Sequence, residues 1–211
     1  PRFMNKYPDA TIKRLDKVEY KVAAGESFEQ VVPAGKLMSV VAMDTLTKHR
    51  ISLKQYIRSG KLNWEVPEGA WKIMFFVCVK DGDPNVDYLD PEAVRLFVKE
   101  THQAYYDRFS PYFGNTIIET FFDEPTLYRA KGRIWTDAFN DKFISRYGES
   151  PELLYPALWY DIGEETQSAR NRLFGLRAHL YSEGFMKIIG EWASAHGIYS
   201  TGHQDQEEIA N

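Results

Sequence analysis

The chain has 211 residues, of which 44% are hydrophobic and 27% are charged, so a disordered or low-complexity protein is excluded. The formal net charge of −4 argues against nucleic acid as a main partner, because binding to phosphates requires a basic face. No apolar run approaches membrane-spanning length, and Cys78, the single cysteine, cannot form an intrachain disulfide.

The first part of the chain, residues 1–84, predicts a small antiparallel β-rich subdomain. Short apolar runs alternate here with turns that contain glycine or proline, which is typical of a sheet or sandwich. The predicted strands include residues 18–22, 37–43, 62–66 and 71–79. The segment 81–85, with the sequence Asp-Gly-Asp-Pro-Asn, predicts a linker to a second domain at 85–211.

The second part alternates helices with strands. Asp90 is a suitable N-cap and Pro91 a suitable first helical residue for a helix that runs to about residue 109. Further on, Thr136 can cap a second helix that Gly148 ends, and Gly197 ends a long helical region. Strands are predicted at 117–123 and 198–203.

This alternation of helices and strands is typical of a parallel sheet. The predicted fold class is therefore α/β, with a partial (β/α) TIM-barrel-like domain, since a complete barrel needs roughly 250 residues. We expect the chain to be a fragment of a longer protein, so the remainder of that parent chain is a predicted partner. Unpaired edges at strands 117–122 and 198–203 also predict self-association of the fragment.

The run from residue 117 to residue 125 is the strongest functional signal. An apolar, strand-forming stretch ends there in Asp123, Glu124 and Pro125. Acids at the end of a buried strand are partly desolvated, which suits a general acid near neutral pH. Glu124 is the candidate general acid. Asp123 lies on the opposite face of an extended strand, so it is a candidate for substrate binding or a cap for the following turn.

Other candidates follow these two strands. Glu207 and Glu208 come just after the second strand, so either can supply the second carboxylate that glycosidases use, or both belong to a solvated turn. His203 is a candidate sugar ligand, and Gly202 before it allows a close approach of the backbone. Tyr128 and Trp135 are candidate sugar platforms, although core packing is the alternative for Trp135.

Metal binding has little support in the sequence. His203, Asp205 and Glu207 alternate along the chain and would form a small metal patch. No HExxH motif, Cys/His cluster or EF-hand loop accompanies them, so no metal ligand is predicted.

Short motifs in a fixed order resemble those of glycoside hydrolase family 106, the α-L-rhamnosidase-like proteins, and their uncharacterised bacterial relatives. The motifs are residues 86–94 (VDYLDPEAV), 122–125 (FDEP), 135–136 (WT), 201–203 (TGH) and 207–208 (EE), preceded by 62–64 (LNW) and 67–71 (PEGAW). The resemblance implies an inverting glycoside hydrolase, assisted by calcium, that acts on an oligosaccharide or polysaccharide in the periplasm or outside the cell. It also favours Glu208 over Glu207 as the second catalytic acid.

A different class of function stays open. The same cleft would serve a non-catalytic sugar-binding module, or the chain would be a structural fragment of a larger enzyme. A second carboxylate at a catalytic distance from Glu124 would distinguish hydrolysis from these alternatives.

Overall fold

The computed structural model describes residues 2–125 and 133–203. They divide into two compact units that are interleaved along the sequence. The first unit takes its described residues from Pro1–Arg14, Lys80–Thr136 and Arg177–Asn211, and the second from Leu15–Val79 and Asp137–Leu176. The predicted domain boundary at residues 84 and 85 stays a prediction.

Strands dominate the second unit. They are β1 (Lys13–Val22), β2 (Ser27–Val31), β3 (Lys36–Asp44), β4 (Arg50–Ser52), β5 (Ile57–Arg58), β6 (Lys61–Glu65) and β7 (Trp71–Lys80), of which β1 begins and β7 ends in the first unit. One sheet contains the order β4-β3-β7-β1 and another the order β2-β6-β5. β3 is antiparallel to β4 and β7, and β6 is antiparallel to β2 and β5. The predicted strands at 37–43, 62–66 and 71–79 are confirmed as members of antiparallel pairs.

Both sheets contribute side chains to one apolar core. Val40 and Phe75 from the first sheet and Leu62 and Trp64 from the second are buried together, and the rings of Trp64 and Trp71 meet edge to face at 5.6 Å. Their alternate positions along each strand place them on the face that each sheet turns to this core, while β3 and β7 are buried on both faces. The unit also contains α4 (Phe139–Tyr147), a 3-10 helix (Glu152–Leu158) and the start of α5 (Thr166–Tyr181).

A cluster of charged and aromatic side chains holds one segment of the second unit to its strands. The carboxylate of Glu19 accepts hydrogen bonds from Lys17 (2.6 Å) and from the hydroxyl of Tyr160, and Lys72 lies 3.5 Å away. Burial alone would raise the pKa of Glu19, but the hydrogen bonds from Lys17 and Tyr160 and the nearby positive charges lower the pKa to about 2. The folded state therefore favours the ionised carboxylate.

We expect Glu19→Gln to lower the free energy of unfolding by about 1 kcal/mol at pH 7, since the cluster is partly exposed to solvent. A carboxylate with a lowered pKa stabilises the fold above its unfolded value of 4.5 and loses this contribution as the pH falls through about 2. The difference between the variant and the wild type should therefore shrink over that pH range in urea denaturation. Glu29→Gln, which removes an exposed pair with Lys61, is the control and should change stability little. Equal effects of the two substitutions would contradict a special role for the Glu19 cluster.

Helices and short strands make up the first unit. Its elements are α1 (Arg2–Lys6), α2 (Pro91–Val98), a π-helical turn (Lys99–Gln103), α3 (Ala104–Phe109), β8 (Glu119–Asp123), β9 (Arg133–Trp135), the end of α5, a second π-helical turn (Ser182–Met186), α6 (Lys187–Ala195) and β10 (Tyr199–His203). β9 is a neighbour of β1, and β8 and β10 form a separate two-stranded sheet.

Helix ends follow the local chemistry that the sequence indicates. The Asp90 side chain accepts a hydrogen bond from the Glu92 backbone N–H at 3.0 Å, and Pro91 is the first residue of α2. Gly148 adopts a φ of +75° after α4, a left-handed conformation that glycine tolerates best. Thr136 does not cap α4, whose N-cap is Ala138, because its hydroxyl instead donates to Asp87 at 2.9 Å.

The predicted fold class is wrong. The described residues combine helices with mostly antiparallel β-sheets, and their strands do not close into a barrel. β9, which follows β8 in sequence, joins β1 rather than the β8–β10 sheet. The alternation of helices and strands is a local signal in the sequence. Barrel closure depends instead on pairing between strands that are distant in sequence, and the pairs in this structure form separate open sheets.

None of the helices in the described ranges combines the length and the apolar character that crossing a bilayer requires.

Candidate functional site

The carboxyl ends of β8 and β10 lie side by side. The two strands are parallel, with Tyr199 beside Glu119 and His203 beside Asp123. The backbone N–H of Glu124 donates to the carbonyl of His203 at 3.1 Å, so the pairing continues to the strand ends. The prediction that these strands run in the same direction is confirmed, and the structure brings Asp123, Glu124 and His203 to one edge of the sheet, where α/β folds bind ligands.

Glu124 has an unusual backbone conformation. Its φ is +44°, in the left-handed region that costs a residue with a Cβ about 1–2 kcal/mol. It is followed by Pro125, which is buried and cannot continue a strand. Strained residues of this kind concentrate at functional sites. The left-handed turn also ends the strand alternation, so the rule that neighbouring strand residues face opposite sides does not apply to Glu124.

One face of the β8–β10 sheet is open to solvent. We call it the open face, and in the strand register it comprises Glu119, Phe121, Asp123, Tyr199, Thr201 and His203, all exposed except Thr201, whose hydroxyl oxygen is buried. Phe121 is 55% exposed and Tyr199 75% exposed. The expectation of a buried strand is therefore wrong for this face. The opposite face is covered, and Phe122 there meets the ring of Phe185 at 5.8 Å.

His203 and Asp123 form a pair on the open face. The Nδ1 atom of His203 lies 3.5 Å from an Oδ1 atom of Asp123, and the two side chains are 66% and 72% exposed. The His203 ring also meets Phe121 edge to face at 5.1 Å. Solvent screens an exposed pair, so its effect is to orient the imidazole more than to stabilise the fold.

Gly202 allows the two strands to approach closely. A Cβ atom at this position would overlap the backbone carbonyl and the ring of Phe122, its neighbour in the register. The prediction that Gly202 serves a close backbone approach is confirmed, and the group that approaches is β8 itself. The absence of a side chain at Gly202 therefore permits the close strand pairing that places His203 beside Asp123.

Several predicted residues do not join this site in the described part of the chain. Trp135 is fully buried in β9, so its ring faces no solvent and cannot serve as a sugar platform. Trp135 instead packs in the core, which was the alternative interpretation of this residue. Tyr128, Glu207 and Glu208 lie outside the described residues, as does Asp205.

Within the described ranges, clustered side-chain ligands for the calcium that the resemblance implies are not found. The described residues include no group of three or more histidine, cysteine, aspartate or glutamate side chains placed to hold a metal ion. The metal patch considered at His203 has its other two members outside the described ranges. We therefore assign no step of any reaction to a metal.

A buried charged network lies in the first unit and was not anticipated. Asp87, which is fully buried, accepts hydrogen bonds from Lys13 (3.1 Å) and from the hydroxyl of Thr136 (2.9 Å) through one carboxylate oxygen. The Leu89 backbone N–H donates to the other oxygen at 3.1 Å. Burial raises the pKa of Asp87 to about 6 despite these partners. Phe121 was also missed, because an apolar residue within an apolar run gives no signal of exposure.

Comparison with known proteins identifies a similar fold but no family. No protein-family model matches the chain, and no curated protein matches it. The structure is similar to part of a rhamnosidase from Novosphingobium sp. PP1Y, with a TM-score of 0.54 and 18% sequence identity. The similarity covers 79% of this chain and 17% of the rhamnosidase chain. At this identity it shows the fold alone, and membership of glycoside hydrolase family 106 is not confirmed.

Proposed function

We propose that this chain is part of a glycoside hydrolase and that the carboxyl ends of β8 and β10 contribute to its sugar-cleaving site. The observation that carries the proposal is the placement of Asp123, strained Glu124 and His203 at one edge of paired parallel strands. The fold likeness to part of a rhamnosidase supports it, and α-L-rhamnoside is the proposed substrate class. A periplasmic or secreted location belongs to the same proposal.

The proposed reaction needs two carboxyl groups. Glu124 acts as the general acid and protonates the glycosidic oxygen as the bond to the leaving group breaks. A second carboxylate, for which Glu208 and Glu207 are the candidates, activates the attacking water. Asp123 and His203 bind sugar hydroxyls, and the exposed ring of Phe121 offers an apolar face to the C–H groups of the sugar.

A second candidate function is sugar binding without hydrolysis. Its support is the exposure of Asp123 and Glu124, because hydrated carboxyl groups can accept hydrogen bonds from sugar hydroxyls without taking part in bond cleavage. The two functions make different predictions for one substitution. Glu124→Gln would abolish hydrolysis in the first case and would leave sugar binding nearly unchanged in the second.

We expect His203→Ala to lower kcat/KM about tenfold in the complete natural polypeptide in which this sequence occurs. The reason is the loss of a hydrogen bond to a sugar hydroxyl, worth about 1 kcal/mol or somewhat more. The measurement is release of nitrophenol from aryl glycosides, with the α-L-rhamnoside first. His49→Ala, an exposed histidine of the second unit, is the matched control and should change nothing. No hydrolysis of any aryl glycoside by the complete polypeptide would refute the proposed enzyme.

A further inference from the structure

The outer edge of β8 has backbone groups available for another strand. On either side of β8, the carbonyl of Ile118 and the N–H of Glu124 both bond to β10, so the even-numbered residues direct their backbone groups towards β10. Alternate residues of a strand direct these groups to opposite edges. Glu119, Phe121 and Asp123 therefore direct their N–H and C=O groups outward, and within the described residues no strand pairs with that edge.

An apolar groove runs along this edge. Two cavities of about 350 Å³ and 290 Å³ share Thr120, Phe121 and His102 as lining residues, so together they extend along β8. The α2–α3 helix contributes Phe97 to one cavity and Tyr105 to the other, and the segment 84–88 also walls the 290 Å³ cavity. Burial lowers the pKa of His102, which favours a neutral wall at pH 7. We call this feature the β8 groove.

The negative charges at the two ends of β8 indicate which kind of strand would bind in the groove. Glu119 and Asp123 are exposed on either side of Phe121, and directly opposite side chains in paired strands interact. In an antiparallel pairing of two copies of β8 about Phe121, Glu119 would lie opposite Asp123 of the second copy, and these like charges repel. A strand with basic residues at both ends and apolar residues between them would instead match the charges and fill the cavities.

We infer that the β8 groove binds an extended peptide strand with an apolar centre flanked by lysine or arginine, which adds to the outer edge of β8. Main-chain hydrogen bonds to Glu119, Phe121 and Asp123 supply affinity, and side chains on alternate positions enter the two cavities. Exposed apolar surface supports an interaction surface here, since Phe121, which lines both cavities, is 55% exposed. This surface overlaps the proposed sugar site at Phe121 and Asp123, but Glu119 takes no part in the proposed hydrolysis.

The test uses the purified 211-residue chain and a fluorescein-labelled peptide of sequence Lys-Val-Phe-Val-Lys. Fluorescence anisotropy should show saturable binding. A peptide with glutamate in place of both lysines should bind more weakly. N-methylation of alternate peptide amides should abolish binding in one frame and be tolerated in the other, because only one set of amides faces β8. Equal binding of both N-methylated frames, or no saturable binding of the lysine peptide, would overturn the inference.

Protein variants add a second readout. Glu119→Lys should weaken binding of the lysine peptide about two- to fivefold and strengthen binding of the glutamate peptide by a similar factor. Glu29→Lys, an exposed strand glutamate in the second unit, is the matched control and should leave both affinities unchanged. Circular dichroism establishes that each variant is folded. Equal effects of the two substitutions, or self-association of the chain that blocks the peptide, would contradict the proposed occupant.

Discussion

Glu124→Gln is expected to lower kcat/KM for glycoside hydrolysis by about 10²–10⁴-fold in the complete natural polypeptide, the usual cost of losing a general acid. The amide has nearly the shape of the acid but has no proton to give to the leaving oxygen. The left-handed φ of +44° applies equally to both side chains, so folding should be unchanged. The measurement is initial rate on aryl α-L-rhamnosides, with melting temperature as the check on folding.

A comparison of substrates with different leaving groups tests whether Glu124 acts as a general acid. A substrate with a dinitrophenyl leaving group needs little protonation, so Glu124→Gln should lose much less activity on it than on a phenyl glycoside. Glu119→Gln is the matched control, because Glu119 is an exposed glutamate at the other end of the same strand. Equal losses on both substrates would assign Glu124 another role, and unchanged activity would refute its part in hydrolysis.

Asp87→Ala is expected to lower the free energy of unfolding by about 3–5 kcal/mol, the typical cost of removing one partner of a buried ion pair. The side chains of Asp87 and Lys13 are 0% and 7% exposed, so the substitution leaves the lysine charge away from water without its carboxylate. Chemical denaturation of the 211-residue chain measures the loss. The double variant Lys13→Met with Asp87→Leu is the control and should recover much of it. A loss below about 1 kcal/mol would contradict a structural role for the pair.

The same carboxyl group predicts an unusual dependence of stability on pH. Burial raises the pKa of Asp87 from 3.8 to about 6, so the folded state holds the proton more tightly than the unfolded state. The stabilisation that this proton provides is complete below about pH 3.8 and is lost as the pH rises to about 6. The difference in unfolding free energy between the wild type and Asp87→Asn should change over that range. A constant difference would contradict the raised pKa.

Much of the local structure could be predicted from residue chemistry. The cap at Asp90, the proline at the start of α2 and the glycine after α4 satisfy backbone groups within a few residues of themselves. Such interactions are local, so the same residues produce them in many folds. The strand end at Asp123 was visible for the same reason, since an apolar run stops there at residues that favour turns.

The candidate site was predictable only in part. Periodicity indicated two strands, and the crossover between them indicated a common direction, which the register of β8 and β10 confirms. It did not indicate that Phe121 faces solvent or that Trp135 is buried, because an apolar residue has the same pattern in a covered and in an uncovered strand. The left-handed turn at Glu124 also has no signature in a run that ends in Asp-Glu-Pro.

What the sequence by itself indicated is most of the longer helices and strands, several of their ends, and the position of acids after a strand. Only the tertiary structure decided that β9 joins β1, that Thr136 donates to Asp87 rather than capping a helix, and that one face of the β8–β10 sheet stays open. The physical reason is the separation along the sequence between the residues that interact. Caps and turns depend on neighbours in sequence, whereas strand pairing, burial and the partners of a buried charge depend on residues brought together from distant parts of the chain.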